Sequence, residues 1–202
     1  GWPFVIKPAD SAGSRGVQLV SNAAQLAAAV EEIRTISKDP SFLMEEYLEG
    51  SEHSIEGIVL DGEVIWTGFS DRNYDKKHIY APYFLEDGDT LPTALSASMV
   101  ERVKAVSTQA VQALGIDFGP VKGDILIDAE GPKMLEMAAR LSGDYFCDVT
   151  VPLHNGINLL EAVMDQALGL PVDKARLQPQ FNRGVALRYV WPQPGVVRRV
   201  SG

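Results

Sequence analysis

Asp61-Gly62 stands between two apolar, β-branched runs, Ser54-Ile55-Glu56-Gly57-Ile58-Val59-Leu60 and Val64-Ile65-Trp66-Thr67-Gly68-Phe69. Asp-Gly supplies the backbone freedom of a two-residue hairpin turn, and the flanking runs have strand composition, so this stretch is antiparallel sheet. Strand, loop and helix signals alternate in blocks on either side. Phe4 to Ile6 and Val17 to Val20 read as strands around the Gly- and Ser-rich loop Asp10 to Gly16. Asn22 followed by Gln25 resembles a capping box, and Leu26, Val30 and Ile33 recur at helical spacing, which predicts a helix over about 22 to 37. Val100, Val103, Val106, Ala110, Val111 and Leu114 predict a second helix closed by Gly115, and Leu159 to Leu168 a third closed by Gly169. Val121 to Ile127 and Lys133 to Ala138 are expected strands around a turn containing Gly131-Pro132. Residues 70 to 95 lack periodicity and read as loop, while 184 to 190 and 195 to 200 read as strands. The class is α+β, mostly antiparallel sheets packed with helices.

Charge narrows the function. With Lys and Arg at 18 against Asp and Glu at 27, the net charge of -9 argues against a nucleic-acid partner, which needs a clustered surplus of cations. A phosphate ligand would need local cations or a metal. The single cysteine, Cys147, can form no internal disulfide or Cys-based zinc site, which suits a reducing cytoplasm. No run approaches a membrane span. The apolar run at Phe4 begins without a leader and the last expected strand reaches the end, so a fragment of a longer protein is expected.

The loop Asp10 to Gly16 offers consecutive backbone N–H groups, with Lys7 and Arg15 on either side, as a polyphosphate requires. It leads into a strand and lacks the Walker pattern, so it is not a P-loop; read alone, a Gly-Ser loop is more often a plain connector. Lys7 lies inside an apolar strand and either meets an anion or reaches solvent along its own stem. Asp124 and Glu136 are equidistant from Glu130, so a hairpin symmetric about that residue sets them opposite each other, with Cβ atoms about 5 Å apart. Two carboxylates there would repel unless they share a proton or a cation, and Mg²⁺ takes carboxylate oxygens together with phosphate and water. A bulge or a solvent-facing side chain is the alternative. Arg140, four residues after Glu136, could hold a carboxylate or a phosphoryl group in flight, or form a surface ion pair. His53, His78 and His154 show no metal-ligand spacing, and Cys147 beside Phe146 reads as a buried small residue.

In this order the pieces resemble the ATP-grasp superfamily, in particular its carboxylate-amine ligase and carbamoyl-phosphate-synthetase-like branch. Val5-Ile6-Lys7-Pro8 with Ser11, Gly13, Ser14, Arg15 and Gly16 looks like the phosphate-side lysine and flexible lid of that family. Met44 to Gly50 looks like its hinge. The resemblance implies that Glu45 faces the adenine, that Glu46 and Leu48 meet it through their backbones, and that Glu52 binds the ribose. Asp124 and Glu136 match the metal carboxylates, and Arg140 matches the catalytic arginine of Glu-x-x-x-Arg. Many members carry Asn two residues after the second acid, where this chain has Ala138.

The implied reaction is ATP-dependent phosphorylation of a carboxylate at a Mg²⁺ (or Mn²⁺) site, followed by attack of an amine on the acyl phosphate. Lys7 and Arg140 act on the phosphoryl group. Bicarbonate activation and a non-catalytic nucleotide-binding module are the alternatives. The resemblance also implies an ATP-grasp domain over 1–175 lacking its upstream part, an absent N-terminal domain of the same protein, and the start of a C-terminal domain over 176–202. Small-molecule carboxylate and amine are the expected partners; the family admits a homodimer, and the sequence carries no oligomeric signal of its own.

Overall fold

The computed structural model describes residues 1–191 and 195–201. Two antiparallel sheets carry the fold. The smaller is made of β1 (Phe4–Pro8), β2 (Gln18–Val20) and β3 (Phe42–Glu46), in the order β2-β1-β3. Helix α1 (Ala23–Ile36) crosses it, and Ile6, Val20, Ala29 and Ile33 form the core between them. The start of α1 is a variant of the expected box: Asn22 accepts from the Gln25 amide at 2.9 Å, and the Gln25 side chain accepts from the Ser21 amide at 2.7 Å, one residue further back than the reciprocal bond requires.

The larger sheet is built on β4 (Ser51–Leu60) and β5 (Glu63–Asn73), the hairpin expected around Asp61-Gly62. Asp61 and Gly62 have φ of 53° and 75°, the left-handed pair that closes such a turn. With β6 (Gly88–Leu91), β7 (Gly119–Ile127), β8 (Pro132–Ala138) and β9 (Val185–Ala186), the order is β8-β7-β4-β5-β6-β9. One face packs on α3 (Ala97–Ala113) through Ile55, Val103 and Ile125, and through Val59, Val111 and Val121. The opposite face packs Ile58 and Leu60 against Phe146 in a π-helical turn, Val151 of α4 (Val151–Asn155), and Leu159 and Ala162 of α5 (Leu159–Ala167).

Alternation along β4 divides that second face. Ile58 and Leu60 enter the core, whereas Glu52, Ser54 and Glu56, two residues apart on the same side, run out of it towards the small sheet. The gap between the two sheets is therefore polar on one wall.

Three expectations need correction. Residues 70 to 95 are not one loop: β5 runs on to Asn73, α2 covers Lys77–Tyr80, and β6 pairs Asp71 with Thr90 and Arg72 with Asp89. Their strand signal was masked because they turn charge into a polar cleft rather than apolar groups into a core. Residues 195–200 form no strand and are exposed, and within 184–190 only Val185–Ala186 is a strand, although Leu187 and Tyr189 continue the pairing through backbone bonds to Asp89 and Asp87. Pro192, Gln193 and Pro194, part of the resemblance to a C-terminal domain, lie outside the described residues. Among the described residues no helix is long and apolar enough to cross a membrane.

Candidate functional site

Two cavities, of ≈ 460 and ≈ 480 Å³, meet between the sheets. Residues 11–14, Arg72, Phe84, Asp124 and Glu136 line both, so they form one continuous cleft. The first cavity reaches from Lys7 and Val5 on β1, past Glu45 and the 46–50 link, to Leu135 on β8. The second runs towards Lys122, Arg140 and Ser142 and is closed by Tyr189 and Trp191.

Asp124 and Glu136 are opposite each other, by a route the symmetric hairpin did not foresee. Ile127 pairs with Pro132 and Ile125 with Met134, which would pair Asp124 with Leu135. A bulge intervenes, Leu135 drops out of the ladder, and Asp124 meets Glu136. Two consecutive residues, Leu135 and Glu136, then line the same cavity, which a regular strand forbids. The bulge that stood as the objection to the pairing is what produces it.

The two acids differ sharply in surroundings. The Asp124 side chain is 13% exposed and accepts the Ser54 hydroxyl at 3.1 Å; the Arg72 guanidinium lies 3.3 Å away, and Lys122 ion-pairs with its other oxygen. Burial works against ionisation there, but Arg72, Lys122 and Ser54 outweigh it and hold the carboxyl below its ordinary value. Glu136 is 54% exposed to the cleft, with Arg140 at 3.9 Å. Arg140 also donates to the neighbouring Leu141 carbonyl at 3.0 Å.

On the small sheet, Lys7 pairs with Glu45 at 2.7 Å, so the anionic partner asked of it comes from the next strand. The loop that follows is tied down at its start, where the Asp10 carboxylate takes the amides of Lys38 and Asp39 at 3.1 Å each and the Ser37 hydroxyl. Gly13, Ser14 and Gly16 have positive φ, so the loop turns sharply on either side of Arg15.

A family model described as the ATP-grasp domain matches residues 1–148. The chain belongs to the ATP-grasp family. It is 29% identical over 182 residues to carnosine synthase 1 of Gallus gallus, covering 84% of this chain and 19% of that protein. It is 27% identical over 208 residues to dapdiamide A synthase of Enterobacter agglomerans, covering 98% and 48%. Among solved structures, L-amino acid ligase from Bacillus licheniformis superposes with a TM-score of 0.72 at 25% identity, over 89% of this chain and 43% of that one. The chain thus spans from about a fifth to about half the length of these relatives.

On this ATP-grasp scaffold, Lys7, Ser11, Gly13, Ser14, Arg15, Glu45, Glu46, Leu48, Glu52, Asp124 and Glu136 all line the first cavity, and Arg140 lines the second. Gly16 lines neither. It is buried, and a Cβ there would sit 2.5 Å from Ile36 and 2.9 Å from Pro8, so close packing explains that glycine. Glu52 already faces Arg72 at 3.8 Å.

In sequence Arg72 is no more than a guess at the substrate side, within Asp71-Arg72-Asn73; in the structure it lines both cavities. It reaches Asp124, Glu52 and, at 2.5 Å, Glu86, and it lies over the Tyr74 ring. Burial opposes its charge, yet Asp124 and the surrounding anions keep it firmly protonated. Counting outward from Asp61-Gly62 does not find it. Thr67 is bulged out between Trp66 and Gly68, which shifts the β4–β5 register by one and decides which of Asp71 and Arg72 enters the cleft.

Among the described residues no three His, Cys, Asp or Glu side chains come together as a metal site. His53 is buried, its ring nitrogens on Asp71 at 2.9 Å and Ser51 at 2.7 Å, away from the cleft. The Cys147 thiol is buried and pushed up to about 11 by desolvation, which leaves it a poor nucleophile.

Proposed function

We propose that the cleft binds Mg²⁺-ATP and transfers its γ-phosphoryl group to a substrate carboxylate, giving an acyl phosphate that an amine attacks. The observation that carries this reading is the convergence of Lys7, the loop residues 11–14, the opposed Asp124 and Glu136, and Arg140 on one cleft. The L-amino acid ligase and the two synthases above support carbon–nitrogen bond formation over bicarbonate activation.

Asp124 and Glu136 fit a hard divalent cation that shares its shell with phosphate and water: they provide two carboxylates on opposed strands, with Ala138 adding no third oxygen. Mg²⁺ held there would neutralise polyphosphate charge. The chain's own residues do the remaining work. The loop amides and Lys7, released from Glu45, orient the phosphates, while the 46–50 link presents main chain to the base. Arg140 balances the charge that grows on the transferred group, and no side-chain nucleophile is required. Residues 1–175 would form the catalytic domain and 176–202 lead into a further one, with Val185–Ala186 pairing back to β6. The setting would be the cytoplasm, where Cys147 stays a thiol.

Arg140→Lys keeps the charge and loses the planar fork. In the full-length enzyme with its substrates, kcat should fall by about 10² to 10³ while the KM for ATP stays within a few-fold. An unchanged kcat would remove Arg140 from the chemistry.

A further inference from the structure

Glu56 takes no part in the mechanism above, yet it is the most deeply buried acid among the described residues, with 0% of its surface exposed. One oxygen accepts the Ser142 amide at 2.5 Å; the other has no hydrogen-bond partner. A buried carboxylate oxygen left unpaired is costly, and holding one amide would need only a neutral acceptor. The second oxygen is therefore free to take a cation, which would offset the burial that pushes this carboxyl above its ordinary value.

The sheet register points to that cation. Glu56 is directly across from Lys122, two residues along β7 from Asp124 opposite Ser54, so the side chains of 54, 56, 122 and 124 share one face of the sheet. Opposed Cβ atoms are about 5 Å apart, well within reach of a lysine stem. Lys122 is instead ion-paired with Asp124, which also holds Arg72. A divalent cation on Asp124 would be repelled by both.

We propose that Glu56 is a positioning residue that receives Lys122 when a divalent cation takes Asp124. The proposal rests on the metal reading of Asp124. Lys122 crosses the face of the sheet from one carboxylate to the other; the repulsion at the metal is relieved, and the orphaned oxygen of Glu56 is satisfied. No bond is made or broken beyond this exchange of ion pairs. Glu56 also holds the Ser142 amide, two residues from Arg140, so the exchange strengthens the anchor of the Arg140 segment as the metal binds.

The test is Mn²⁺ titration of the full-length protein with a non-hydrolysable ATP analogue, read by the loss of free Mn²⁺ signal in electron paramagnetic resonance. Glu56→Gln keeps an acceptor for Ser142 and should weaken Mn²⁺ binding about tenfold, because the displaced lysine has no anion to meet. Lys122→Met removes the competitor and should tighten Mn²⁺ binding severalfold, and Glu56→Gln should have no effect in that background. Equal weakening by Glu56→Gln with and without Lys122 would overturn the exchange, as would Lys122→Met that binds no more tightly than wild type. Absence of Mn²⁺ binding by the wild type would overturn the metal reading together with the exchange, whereas normal binding indifferent to Glu56 would overturn the exchange alone.

Discussion

Charge compensation at single residues governs this cleft. Arg72 holds three acids, and one of them, Glu86, is buried enough that its carboxyl is pushed up to about 6 from an ordinary 4.5, chiefly by burial and against the pull of Arg72. A carboxyl with a raised folded value binds its proton more tightly in the native state, so its contribution to stability is present below pH 4.5 and is lost as the pH rises to about 6. The difference is of order 2 kcal/mol. Asp124 behaves in the opposite sense: its value is lowered, so its contribution is present above its ordinary value of 3.8 and lost as the pH falls. Urea midpoints measured between pH 4 and pH 7 should therefore show a falling component that Glu86→Gln abolishes. A slope unchanged in that variant would contradict the assignment.

At the scale of elements, the site is made by irregularities in two hairpins. The turn at Asp61-Gly62 was legible because turn chemistry is local, whereas the symmetric spacing that paired Asp124 with Glu136 reached the right partners only because a bulge restores it. The bulges at Thr67 and Leu135 were not legible, since an extra residue leaves no mark in composition and yet exchanges the faces of everything beyond it. Arg72, Glu86 and Asp89 were hidden for a related reason: charged side chains facing a polar cleft break the apolar alternation by which a strand is recognised. Leu135→Ala removes an apolar side chain that lines the first cavity beside Glu136 only because of the bulge. Nucleotide affinity should drop about tenfold in calorimetry while its dependence on Mg²⁺ is retained; unaltered affinity would mean that Leu135 does not touch the base. Gly50, in the link between the sheets, has no room for a side chain, because a Cβ there would lie 2.2 Å from the Ile127 carbonyl oxygen. Gly50→Ala should lower stability by about 1 to 3 kcal/mol in urea unfolding, and no loss would show that the link can move aside.

For the molecule as a whole, the division of labour follows the two sheets. The small sheet with α1 carries Lys7 and the loop, the large sheet carries both acids with Arg140 two residues past the end of β8, and the cleft between them is where they meet. Net charge -9 makes the whole chain a poor host for a polyphosphate, so the proposed binding would depend on the local cations and on a metal at the acid pair. Calorimetric titration of the full-length protein with a non-hydrolysable ATP analogue, with and without Mg²⁺, tests that dependence directly. The predicted result is Mg²⁺-dependent binding that Asp124→Asn and Glu136→Gln each weaken tenfold or more, on the order of 1.4 kcal/mol. Binding indifferent to Mg²⁺ and to both substitutions, or no binding at all, would contradict it.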